Sequence, residues 1–200
     1  MYARTLIALG SALTVALFAA PAGAQQAHGR PDPAALLAAE TEALKPFAWM
    51  QGRWRGEAWT AQGGTRQMLQ HTERAGPMLD GSLMVVEGKS FEPESKPTHF
   101  NAFAVISYDP AAKTYTFHSF AQGMAGAFPM EATADGYVWR YQAGPVTLRY
   151  TAHHSGDRWR ETGEMVRPDG TVVQIFEMNL HREGDSDWPL AGQPTGAPKP

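Results

Sequence analysis

The fold turns on one stretch: Tyr137-Val138-Trp139-Arg140-Tyr141-Gln142-Ala143-Gly144-Pro145-Val146-Thr147-Leu148-Arg149-Tyr150-Thr151-Ala152. Tyr137, Trp139 and Tyr141 alternate with Val138, Arg140 and Gln142. Beyond Gly144-Pro145, Val146, Leu148, Tyr150 and Ala152 alternate with Thr147, Arg149 and Thr151. A period of two sends successive side chains to opposite faces of a strand, so each half reads as a β-strand with one apolar face. Asp135-Gly136, just upstream, is the strongest two-residue hairpin signal in the chain.

The same pattern extends in both directions. Upstream it gives strands over Arg53–Ala61, Thr65–Arg74, Ser82–Phe91, His99–Tyr108, Thr114–Gln122 and Ala127–Ala134; downstream, over Arg158–Val166 and Thr171–Arg182. Turn signals separate them: Gln62-Gly63-Gly64, Leu79-Asp80-Gly81, Asp109-Pro110, a Gly/Met loop at Gly123–Gly126, Ser155-Gly156-Asp157 and Pro168-Asp169-Gly170. Ten sequential strands with short links predict an all-β, antiparallel up-and-down barrel over 47–183, closed so that no strand edge is left exposed. A two-sheet sandwich is the alternative and needs long cross-sheet connections that the sequence lacks.

Other periods flank the barrel. Asp32-Pro33 is an N-cap followed by proline at the first helical position, and Ala34–Lys45 continues as a helix with Leu36, Leu37 and Leu44 on one face. Pro46 ends it, giving one short helix over 33–46. Met1–Ala24 reads as a signal peptide: Arg4, an apolar run from Leu6 to Ala20, the breaker Pro21, and the small-x-small site Ala22-Gly23-Ala24. The run falls short of the roughly 20 residues that span a bilayer as a helix, so no membrane span remains after cleavage. Gln25–Asp32 is a polar lead-in and 184–200 a Pro/Gly-rich, disordered tail. The localisation expected is periplasmic or secreted.

Composition narrows the function. Apolar residues make up 43% and charged residues 18% of 200, the composition of a globular domain. A net charge of −3 argues against a nucleic-acid partner. The absence of cysteine excludes disulfides, thiolate metal sites, cysteine nucleophiles and a lipoprotein anchor. No Gly-x-Ser-x-Gly elbow, phosphate-binding glycine motif or His-Glu-x-x-His helix occurs, so no catalytic residue and no metal ligand is assigned.

What remains is a surplus of large apolar side chains over one filled core. It predicts a pocket for a small apolar or amphipathic ligand, walled by Trp54, Phe103, Phe117, Trp139, Trp159 and Phe176. The small residues Ala102, Ala104 and Ser107 leave room. His118, between Phe117 and Phe120, joins the site as the candidate axial ligand or proton donor. Glu73, Glu87, Glu161 and Glu177 lie in apolar strand surroundings, with Arg140, Arg149 and Arg182 as available partners; any carboxylate that faces inward must be paired. A binding barrel is the first reading. A haem or porphyrin protein, or a small-molecule enzyme using the same pocket, are the alternatives.

Phe47-Ala48-Trp49-Met50-Gln51-Gly52-Arg53-Trp54-Arg55-Gly56 resembles the Gly-x-Trp-x-Gly entry of calycin-type, lipocalin-like barrels. Thr72-Glu73, Leu79-Asp80-Gly81, Ser107-Tyr108-Asp109 with Tyr115, and Pro168-Asp169-Gly170 with Glu177 and Arg182 resemble the bacterial family known as domain of unknown function 1579. The resemblance implies that Trp54 plugs the barrel floor and that Gly56 permits a strand bend. The nitrobindins share this entry, and that likeness implies haem held by a histidine about seven positions before a closing arginine. Here Ile175 stands at that distance from Arg182.

Secretion from a bacterial host should yield a mature protein whose N-terminus is Gln25, read by intact-mass and N-terminal sequencing.

Overall fold

The computed structural model describes residues 32–62, 64–94 and 98–189. The signal peptide, most of the lead-in and the tail from 190 onward lie outside the described residues.

The ten strands run β1 Gly52–Gln62, β2 Thr65–Met78, β3 Leu83–Phe91, β4 Thr98–Asp109, β5 Thr114–Ala121, β6 Met124–Thr133, β7 Gly136–Ala143, β8 Val146–Ser155, β9 Arg158–Val166 and β10 Val172–Gly184. Each pairs antiparallel with its sequence neighbours, and β1 pairs with β10, so the sheet closes into a barrel. One helix precedes it, α1 (Pro33–Leu44), capped by the Asp32 carboxylate, which accepts from Ala34 N–H at 3.0 Å. No helix of the described residues is long and apolar enough to cross a membrane.

Three sequence expectations need correction. Pro46 does end the α-helix, but the chain continues as a 3-10 turn, Lys45–Met50, with Pro46 in its first turn. Leu36 and Leu37 remain more than a third exposed, and Leu44 is the buried residue of α1. The helix is fastened near its last turn, where Tyr115 Oη donates to the Ala43 carbonyl at 2.8 Å. The Gly/Met loop is absent: Gln122-Gly123 makes a two-residue turn with both φ positive, and Met124–Gly126 already belong to β6.

The 3-10 turn closes one end of the barrel. Phe47 and Met50 are fully buried, with Phe47 edge-on to Tyr115 at 5.1 Å. Trp54 lies on this floor, its Nε1–H donating to the Met50 carbonyl at 2.8 Å. Trp49 stacks on His154 at 4.5 Å and meets Trp159 edge-on at 5.1 Å. The opposite end, where β4 begins and β5 turns into β6, is the mouth.

Two glycines permit close approach of backbones. A Cβ on Gly56 would lie 1.9 Å from the Asn179 carbonyl of β10, and one on Gly136 would lie 2.0 Å from the Ala152 carbonyl of β8. Gly136 therefore starts a strand; the turn itself is Ala134-Asp135, one residue earlier than the Asp-Gly signal implies. Gly56 lets the first and last strands meet.

Past Gly184 the chain continues as Asp185–Pro189 without regular secondary structure and rests against the outer wall. Asp187 pairs with Arg74, whose guanidinium lies 4.8 Å over the Trp188 ring, and Trp188 meets Phe103 at 6.3 Å.

Gly56→Ala should lower stability by about 2 kcal/mol or more, because backbone must move to admit the methyl group. Gly64→Ala, at a position open to solvent, should cost less. Chemical denaturation of both variants measures the difference.

Candidate functional site

Strand parity decides what the cavity sees. The enclosed space measures about 590 Å³ and opens at the mouth. Phe117, Trp139, Trp159 and Phe176 line it, as the sequence predicts; Trp54 lies beneath it in the floor. Phe103 and His118 do not line it. His118 pairs with Val105, and Phe103 with Phe120, at positions that alternate with inward Phe117, Ser119 and Ala104. Adjacent residues of a regularly paired strand face opposite ways, and β5 pairs with β4 without a bulge, so Phe117 points in and His118 points out. On the outer wall His118 Nε2 shares a 3.0 Å hydrogen bond with Ser107 Oγ, which places Ser107 outside as well.

The walls are asymmetric, and this makes the space. On β7, β8 and β10 the lining is aromatic: Trp139 stacks on Tyr150 at 4.4 Å, and Tyr150 meets Phe176 at 6.2 Å. Phe117 closes on the other side of Trp139 at 4.7 Å. Along β4 to β6 the lining includes Ala102, Ala104, Ser119, Ala121 and Gly126. These small residues share the β4–β6 lining with Phe100, Phe117 and Phe128, and volume is left where small positions face the aromatic side chains of the other strands.

Below the aromatic sleeve lies a polar floor. His71 and Glu73, two residues apart on β2, face inward together. His71 is directly opposite Ser90 of β3, and its Nδ1 lies 2.6 Å from Ser90 Oγ. Its Nε2 lies 2.8 Å from Glu73 Oε1. Glu73 fits because Gly88 stands across from it: a Cβ there would lie 2.6 Å from the carboxylate. Ala152 of β8 pairs with both Tyr137 of β7 and Glu161 of β9. Its methyl group is small enough for Tyr137 Oη to reach over it and donate to Glu161 Oε2.

Electrostatics follow from this enclosure. Glu161 is 8% exposed, and burial pushes its carboxyl up to about 7; Tyr137 pulls it down and nearby Glu73 raises it further. Tyr137 is raised well above the ordinary phenol range by burial and then by Glu161. Glu73 Oε2 and Trp159 Nε1 are buried without hydrogen-bond partners among the described residues.

The arginines expected beside the inward carboxylates are elsewhere. Arg140 pairs with Glu131 at 2.9 Å, Arg149 with Glu164 at 2.7 Å and Arg182 with Asp185 at 2.6 Å, all outside the cavity. Glu87 and Glu177 do not line the cavity and pair with Lys89 and Arg160. Two-point contact with Arg160 drives the Glu177 carboxyl down to about 2. Inside, histidine and tyrosine serve where arginine was expected. The signal for this floor was His71-x-Glu73, an i, i+2 pair on one strand.

This arrangement defines a closed antiparallel barrel with an internal cavity whose floor is acidic. A solved protein similar in fold is Rv2717c from M. tuberculosis, with a TM-score of 0.54 at 10% sequence identity over 70% of this chain and 97% of that one. At that identity the likeness shows a shared fold alone. No family model matches the chain, and no curated protein does.

The histidine that the nitrobindin resemblance implies for haem is missing at its position. Ile175, at the expected ligand position, lines the cavity with hydrocarbon. His71 uses both ring nitrogens, His118 is outside, and His99 lines the cavity at the mouth end of β4.

Glu161 sets a pH dependence. Its folded value near 7 lies above its ordinary 4.5, so its contribution to stability is complete below pH 4.5 and is lost as pH rises towards and through 7. The loss is on the order of 3 kcal/mol. Glu161→Gln should flatten the stability profile between those values and unfold at higher temperature than the wild type at pH 8, measured by thermal melts across the range.

Proposed function

We propose that this protein is an exported binding barrel, freed by cleavage after Ala24, that holds one small amphipathic molecule in its interior. The carrying observation is the cavity of about 590 Å³. That volume is within the range of small-molecule sites, and its apolar walls stand above a few convergent polar groups. The aromatic sleeve from the mouth to Trp139 takes the apolar body of the ligand. The His71–Glu73–Glu161 floor takes its polar end.

The calycin-like entry at Gly52–Gly56 supports the reading, because barrels of that type commonly enclose ligands. A binding role is favoured over catalysis by the state of the polar side chains. Ser90 is buried beneath His71, with little surface open to attack a substrate, and the tyrosine at the floor holds its proton tightly.

Titration with a neutral, solvent-sensitive dye such as Nile red should show one dye per barrel and quenching of tryptophan fluorescence. Ala104→Trp, which fills the cavity from the small-residue wall, should reduce that binding at least tenfold. Undiminished binding in a folded Ala104→Trp variant would place the dye outside the barrel and overturn the proposal.

A further inference from the structure

The charge inside the cavity is one-sided. Among the described residues its lining includes Glu73 and Glu161 but no lysine or arginine; the basic partners are the imidazoles of His71 and, at the mouth, His99. His71 is shared between Ser90 and Glu73, so it offers nothing directly to Glu161. What reaches Glu161 is the phenol hydrogen of Tyr137 and, more weakly, the indole N–H of Trp139, both uncharged donors. Glu73 has a fully buried oxygen, Oε2, with no hydrogen-bond donor among the described residues. A carboxylate in low dielectric with neutral donors alone is poorly compensated, and an unsatisfied buried acceptor beside it adds to the deficit.

Resting on the reading of the barrel as a carrier, we infer that its ligand is a cationic amphiphile: an apolar body ending in a protonated amine that sits on Glu161 at the cavity floor. An ammonium group supplies three donors and one positive charge, the two things this floor lacks. The sleeve above accommodates such a ligand, since aromatic rings tolerate a cation passing over their faces while a carboxylate gains nothing from them. An anionic head would instead be driven onto two carboxylates and is excluded by repulsion.

The inference fixes a direction for pH. Facing Glu161 are Glu73 and His71 from β2, Tyr137 and Trp139 from β7 and Tyr150 from β8. With the Glu161 carboxyl held up near 7 by burial, acidification neutralises the group that receives the amine. Amine affinity should therefore rise between pH 5.5 and pH 8.

Isothermal titration with three ligands of one chain length, decylamine, decanol and decanoic acid, separates the possibilities. At pH 8 decylamine should bind at least tenfold more tightly than decanol, with decanoate weakest. Decylamine should weaken severalfold at pH 5.5 while decanol stays constant. Glu161→Gln, checked for folding by circular dichroism, should bring decylamine to within about threefold of decanol in the same variant at pH 8 and abolish the amine's weakening at pH 5.5. Equal or tighter binding of decanol or decanoate at pH 8 overturns the cationic head and leaves the carrier reading standing. An amine preference that survives in folded Glu161→Gln overturns the assignment to Glu161. Failure of all three to bind overturns the carrier reading itself, and this inference with it.

Discussion

Everything in this molecule depends on β1 reaching β10. An open meander of ten strands would present two free edges and would not separate an inside from an outside. Closure supplies both at once, and it passes through one narrow contact, where the Gly56 backbone lies against the Asn179 carbonyl. With the ring closed, parity along each strand becomes destiny: Trp54 and Ala58 go in, Arg53, Arg55 and Glu57 go out. The 3-10 turn then has an end to seal, and Phe47 and Met50 become core.

The interior gives up stability to keep an open, partly polar cavity. A filled barrel with no carboxylates would be more stable, since each buried charge carries a desolvation cost that Tyr137 and His71 offset only in part. Facing an aromatic wall with alanine and glycine forfeits packing as well. Both costs fall in the same region, the lining of the cavity and its polar floor. Concentrated losses of this kind mark the place where a fold is used rather than merely held together.

Much of the architecture was legible in the sequence because alternation is a local property. Tyr137, Trp139 and Tyr141 reveal their strand without knowledge of any partner, and proline and glycine mark the turns. The site was legible only in part. Phe117, Trp139, Trp159 and Phe176 announce themselves as large apolar residues of inward parity. Phe103 and His118 looked equally suitable, but their parity is fixed by pairing with β5 and β4, which no single strand records. The floor was harder still. Glu73 and Glu161 stood out as carboxylates needing partners, yet their partners come from register: Ser90 opposite His71, and Ala152 placed between Tyr137 and Glu161. Arginine was the expected counterion, but the arginines point outward, where water and neighbouring carboxylates already satisfy them.

Pairing the first strand with the last has a kinetic side. The contacts that join Arg53–Thr60 to Phe176–Gly184 span most of the chain, so they carry the largest loop-closure entropy in the molecule and form late. Until β10 arrives, β1 has a bare edge and the Trp54 plug has no complete ring to stopper. Hairpins such as β7–β8 assemble from neighbours and can wait; the seam cannot be rehearsed in pieces. A chain of this design stays an unsealed meander until nearly all of it is available, and then commits in one step.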